Sequence, residues 1–261
     1  MRSLNIAATG MMAQQTNVDV ISQNLANMTT TGYKRQRAEF QDLLYQNFKR
    51  VGANSSDVGT IVPTGIQMGV GVKTGAVSRN TEQGTVTNTE NPLDIAIQGR
   101  GYFQVELPNG EIVYTRDGTF KLSPDGELVT IDGYIVSPGI VIPQEAVGVS
   151  INAFGEVQVT LDNQVDPVDV GQLEMATFVN PAGLDALGNN LFRQTAASGD
   201  PVAGFAGDEG FGTMLQGFVE ASNVNPISEI TLLIVAQRAY EMNSKVITSS
   251  DQMLNALNQS A

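Results

Sequence analysis

The chain has 261 residues, 41% of them apolar, enough for one or two compact domains with a real core. Fourteen basic against 27 acidic residues give a net charge of −13, which argues against nucleic acid as the main partner because phosphate binding needs a basic surface. Cysteine, histidine and tryptophan are absent, so disulfides, thiolate chemistry, His-dependent triads and His-ligated metals are excluded.

The charge is uneven. Residues 1–52 and 223–261 together sum to +2, whereas residues 53–222 carry −15. Repulsion is therefore concentrated in the middle, and the two ends can approach copies of themselves at little electrostatic cost. The opening MRSLNIAATGMM lacks an apolar run of signal-peptide length, and no stretch approaches the roughly 20 apolar residues that span a bilayer, so neither Sec-type export nor membrane anchoring is expected.

In chain order, the first element is a helix. Leu4, Ala7, Met11, Gln14, Val18, Ile21, Leu25 and Met28 alternate three and four apart, a heptad-like stripe. The helix should fade near Asn27, because Thr29, Thr30 and Thr31 are poor helix formers and Gly32 suits a turn. From about Gln46 to Gly71 the chain is rich in Gly, Ser, Asn and Thr with a lone Pro63, which predicts an extended connector or long hairpin.

Short strands follow. Asp94–Ile97 leads to Tyr102–Val105, a Pro108-Asn109-Gly110 turn and Ile112–Tyr114; Pro124-Asp125-Gly126, Asp132-Gly133 and Phe154-Gly155 each precede another strand. At the far end Asn225 can cap a helix with Pro226 in its first position, running to about Leu257. That helix carries two adjacent seams. Leu232, Val235, Ala239, Met242, Val246, Ser249, Met253 and Ala256 form the first; Leu233, Ala236, Tyr240, Asn243, Ile247, Ser250, Leu254 and Leu257 form the second. A two-stranded coiled coil needs one narrow seam, so two imply more than one partner helix.

The predicted class is α+β. Paired long terminal helices form a coiled-coil-like domain from residues 1–30 and 224–261, residues 31–71 a connector or long hairpin, and residues 72–223 a central antiparallel all-β domain. The residues expected to pack between subunits are Leu4, Met11, Val18, Ile21, Leu25, Leu232, Val235, Ala239, Met242, Val246 and Met253.

No catalytic, cofactor-binding or metal residue stands out. Paired carboxylates could serve a glycosidase, but Asp117, Asp125 and Asp132 sit in turns where they bond to backbone, and the aromatic platforms of sugar sites are scarce. Asp162, Asp166 and Asp169 have the wrong spacing for a calcium loop, and Gly69, Gly71 and Gly75 do not make a dinucleotide fingerprint. Lys34, Arg35 and Arg37 read as ion-pair partners within or between subunits. The last helix offers only Arg238 and Lys245 as cations, too few for a membrane-surface helix.

Three strings carry a resemblance: LANMTTTGYKRQRAEFQDLLYQ, PLDIAIQGRGYFQVELPNGEIVYTRDGTFKLSPDGELVTIDGY and ASNVNPISEITLLIVAQRAYEMNSKVITSSDQML. With them the chain resembles the flagellar rod and hook axial family over nearly its whole length. The N-terminal signature falls on Asn24, Asn27, Thr31, Gly32, Tyr33 and Lys34, the C-terminal one on Ser222, Asn223, Val224, Gln237, Arg238, Ala239 and Tyr240. NSSDVGTIVPTGIQMGVGVK, NPAGLDALGNNLF and TAASGDP resemble the distal-rod branch more narrowly. Pro226 and Ser228 depart from the pattern at the first turn of the last helix, and Phe218 replaces a more usual Tyr.

The resemblance implies a structural subunit without enzymatic activity, cofactor, nucleic acid or small-molecule substrate. It would polymerise with itself into the helical drive shaft that passes torque from motor to hook. The partners implied are proximal rod proteins, hook protein, the P- and L-rings and the flagellar type III export apparatus, at a basal-body rod crossing the periplasm. A proximal-rod or hook-like subunit is the nearest alternative; a secreted peptidoglycan-trimming enzyme is the alternative of a different class.

Overall fold

The computed structural model describes residues 2–49, 64–162 and 166–260. The middle of the expected connector, residues 50–63 with Pro63, lies outside them. The chain forms two compact units, one of residues 1–26, 36–78 and 225–261, the other of residues 27–35 and 79–224.

The first unit contains helix α1, Arg2–Ala26, and helix α2, Pro226–Ser260. The first turn of α2 forms despite its unusual residues: Asn225 Oδ1 accepts from the backbone N–H of Ile227 at 3.1 Å and Ser228 at 3.3 Å, and Pro226 has no N–H to satisfy. The helices pack antiparallel. Ser3 meets Ser250 at 3.3 Å, Gly10 faces Asn243, and Asn24 bonds Glu229 at 3.1 Å. The steps along each helix are seven and fourteen residues, so each contact recurs after two turns on the same face.

This places the α1 seam one residue from part of the expected stripe. Ala7, Ala13, Val20, Ile21 and Asn24 are buried, whereas Leu4, Met11, Val18 and Leu25 flank them half-buried. The reason is close approach: a Cβ on Gly10 would lie 3.0 Å from the Asn243 amide, so small residues rather than bulky ones occupy the line of contact. On α2 the second expected seam faces α1 except at Tyr240, which is exposed: Ala236 and Ser250 are buried and Leu233, Asn243, Ile247 and Leu254 half-buried, and the Leu257 side chain is outside what is described.

Strands Gln36–Asp42 and Val72–Arg79 pair, and Tyr45–Lys49 runs antiparallel to Ile66–Gly69, so both ends of the turn-rich segment are hairpin arms. The arms are pinned to α1. Val72 N–H donates to Thr9 Oγ1 at 3.3 Å, and the Arg2 guanidinium sits 4.3 Å from the centre of the Phe48 ring.

The second unit is mainly β structure with one 3-10 turn, Pro181–Gly183, and its strand pairs among the described residues are antiparallel. Its largest sheet has nine strands around the hairpin Tyr102–Glu106 and Ile112–Thr115, joined by the predicted Asn109-Gly110 turn. Alternation puts Phe103 and Val105 on one face of the strand and Tyr102 and Gln104 on the other, and all four are buried because packed clusters lie on both faces. Ile95, Ile97, Phe103, Phe120, Leu128, Val136, Leu173, Met175 and Met214 form the main core. Tyr102, Tyr114, Phe178 and Phe192 form a second, aromatic cluster with edge-to-face rings 4.8–6.0 Å apart. Asp117 makes the expected local turn, accepting from Thr119 N–H at 3.0 Å.

Candidate functional site

Two features could carry function: an apolar helix face left uncovered, and buried polar locks that hold the termini in shape. With its second seam on α1, helix α2 presents its first seam outward. Val235 is 59% exposed, Met242 62%, Val246 46% and Met253 61%, with Leu232 also exposed and Ala239 half-buried. From Leu232 to Val246 these positions repeat three and four residues apart, and Met253 follows seven residues on with the exposed Ser249 between, so they lie on one face along about two-thirds of the helix.

The lock in the helical unit is Asn24. Its Nδ2 donates to Gln36 O at 2.7 Å and to Glu229 at 3.1 Å, and its Oδ1 accepts from Gln36 N–H at 2.8 Å. One side chain thus fixes the end of α1, the start of the first strand and the first turn of α2. Asn24 and Glu229 are both fully buried, so these bonds lie away from competing water.

The lock in the β unit is ionic. Glu220 accepts from Lys34 Nζ at 2.5 Å and Gly84 N–H at 2.8 Å on Oε1, and from Arg116 Nε at 2.6 Å on Oε2. All three ionic side chains are 5% exposed or less. The Arg116 guanidinium also donates to the carbonyls of Ile97, Gly99 and Gly101, and Lys34 to the carbonyl of Glu82 at 2.8 Å. Gly99 and Gly101 have φ of +109° and +139°, which lets the loop curl its carbonyls round the guanidinium. Burial opposes ionisation of Glu220, yet the charges and hydrogen bonds of Arg116 and Lys34 outweigh it and hold the carboxyl below its usual range. Burial pulls the Lys34 ammonium below the usual lysine range, against the attraction of Glu220.

Gly32 leads the chain into this lock. Its φ is +69°, its N–H donates to Glu220 O at 2.8 Å, and a Cβ there would lie 3.0 Å from the Arg116–Asp117 backbone. Gly32→Ala should therefore lower the stability of the β unit by about 2 kcal/mol, the sum of a left-handed backbone and a tight contact. Urea unfolding of the two proteins checks this; an unchanged midpoint would show that the 31–33 turn relaxes freely. Asn223 closes the same region, accepting from Arg35 N–H at 2.6 Å and donating to the carbonyls of Asn80 and Glu82.

Comparison with known sequences bears on what such a molecule does. Residues 4–34 match the flagella basal body rod protein model, residues 96–159 the flagellar hook protein FlgE/F/G D1 domain, and residues 215–260 the flagellar basal body rod FlgEFG protein C-terminal model. The flagellar basal-body rod protein FlgG of Caulobacter vibrioides is 59% identical over 259 residues, 99% of each chain. Those of Agrobacterium fabrum and Bacillus subtilis are 51% and 38% identical, again over 98–99% of each. The chain belongs to the FlgG family of flagellar basal-body rod proteins. It is a structural flagellar rod subunit, and its family is not a class of enzyme.

The three FlgG-family segments meet in the ionic lock. Lys34 closes the first match, Arg116 lies in the second and Glu220 in the third. Of the signature residues, Asn24, Gly32, Lys34 and Asn223 thus have work within the folded chain, and Thr31 O accepts from Asn190 at 3.1 Å. Gln237, Arg238 and Tyr240 instead lie exposed on α2. Sequence reasoning missed Arg116, Glu220 and Glu229. The available signal was a lone acid in the apolar strand Phe218-Val219-Glu220, beside the C-terminal signature and opposite in sign to Lys34. Among the described residues no helix is long and apolar enough to cross a membrane, and no cluster of acidic side chains could hold a metal ion.

Proposed function

We propose that this chain builds the distal rod as a homopolymer, with helix pairs packed in coiled-coil fashion and the exposed seam of α2 covered by neighbouring copies. The supporting observation is that seam: Leu232, Val235, Ala239, Met242, Val246 and Met253 line a face that α1 does not cover, beside a seam that α1 does. The half-buried Leu4, Met11, Val18 and Leu25 of α1 flank the same helix pair and extend the surface, while Ile21 stays in the pair itself. The division into a helical part of residues 1–30 and 224–261, a connector of 31–71 and a β part of 72–223 then separates roles, the helices supplying the packing between copies.

In this reading the neighbours are proximal rod proteins below, hook protein above and the P- and L-rings around, and the chain arrives through the flagellar type III apparatus. It performs no chemical reaction. Purified protein at rising concentration should sediment as tubes seen by negative-stain electron microscopy, with a critical concentration that falls as salt screens the −13 charge. A chain that stays monomeric at every concentration, alone and with preformed rod ends, would overturn the homopolymer.

A further inference from the structure

A cavity of about 290 Å³ lies beside the ionic lock in the β unit. Lys34 and Arg116 both line it, Arg100 stands at its exposed rim, and Tyr102, Phe178 and Pro181 supply its apolar walls. Counting charges, the two cations share one carboxylate, so the lock keeps an excess of one positive charge. Counting donors, Lys34 uses two of its three N–H groups and Arg116 four of its five among the described residues. Each buried cation therefore retains one N–H, and Arg100 forms no ion pair among the described residues.

We infer that this cavity receives a carboxylate side chain from a second copy of the chain. The two lining cations supply positive charge and one unused N–H each for an anion, and apolar walls suit the methylene stem that carries one. The chain itself is the fitting source: residues 53–222 carry a net charge of −15, so every copy brings carboxylates to its neighbours. Val179, 88% exposed beside the mouth, gives the rim an apolar contact to cover. The inference rests on self-assembly as proposed above.

The test uses the full chain, which has no cysteine of its own. Arg100→Cys, labelled with a benzophenone maleimide, is assembled into rods and irradiated, and the cross-linked peptides are sequenced by mass spectrometry. The expected product joins two copies, with the partner peptide containing Asp or Glu. Arg100→Glu should raise the critical concentration about tenfold or more through like-charge contact, with no change in monomer melting because Arg100 is exposed. Cross-links confined to one chain, or wild-type assembly by Arg100→Glu, would overturn the inference. Saturable binding of inorganic phosphate to the cavity without any inter-copy cross-link would reassign it to a free anion. If the wild-type chain does not polymerise, the self-assembly reading falls as well; if it does and the cross-link is missing, only the cavity assignment falls.

Discussion

Val246→Asp is expected to yield a protein that folds and melts like the wild type but builds no rods, leaving cells non-motile. Val246 is 46% exposed on the uncovered seam of α2, so a carboxylate there stays hydrated in the single chain, and surface changes of this kind shift stability by only about 0.5 kcal/mol. In a rod the same position would be covered by a neighbouring copy, and burying an unpaired carboxylate costs several kcal/mol at each site. A polymer repeats that penalty in every subunit. Ile247→Asp makes the contrast, because Ile247 lies half-buried on the seam facing α1 and its charge should destabilise the helical unit before any assembly. Circular dichroism melts, sedimentation and swarm plates together read these outcomes. Normal motility with Val246→Asp would place this face in solvent within the rod.

Glu220→Gln should have the largest effect on folding. It removes the one anion between Lys34 and Arg116 and leaves two buried cations with a neutral partner, and breaking a buried pair in this way costs about 3–5 kcal/mol. For a unit of this size that lowers the melting temperature by roughly 6–20 °C. The pH profile separates charge from packing. Because the folded carboxyl titrates below its unfolded range, the stability it contributes is fully present above about pH 4.5 and is lost as pH falls through the depressed folded value. Wild-type melting should therefore drop steeply in acid, and Glu220→Gln should lack that part of the drop. Lys34, whose folded value is also lowered, gives a slope of the same sign in alkali: its charged form is disfavoured by burial, and that cost is relieved as pH rises from the lowered folded value toward the ordinary lysine range. Equal acid sensitivity in the two proteins would mean that Glu220 is not the group whose protonation weakens the unit.

Much of this protein is written locally in its sequence. Helix α1, the Asn225-Pro226 start of α2, the Asn109-Gly110 hairpin and the succession of short strands each follow from neighbours a few residues apart, because caps, turns and periodicity are set by local backbone chemistry. The two seams of α2 were legible for the same reason, as was the strong resemblance of both ends to rod and hook proteins. Which seam turns inward was not. That choice depends on Gly10 and Ser3 letting the helices approach until Asn243 and Ser250 fit, a matter of steric match between positions more than 230 residues apart. The ionic lock was hidden likewise, since Lys34, Arg116 and Glu220 are separated by long stretches of chain and only the closed β unit withdraws them from water together. Sequence alone determined the elements and the family; the tertiary structure decided which apolar face remains uncovered and which charges become buried, because both depend on what distant segments exclude from solvent.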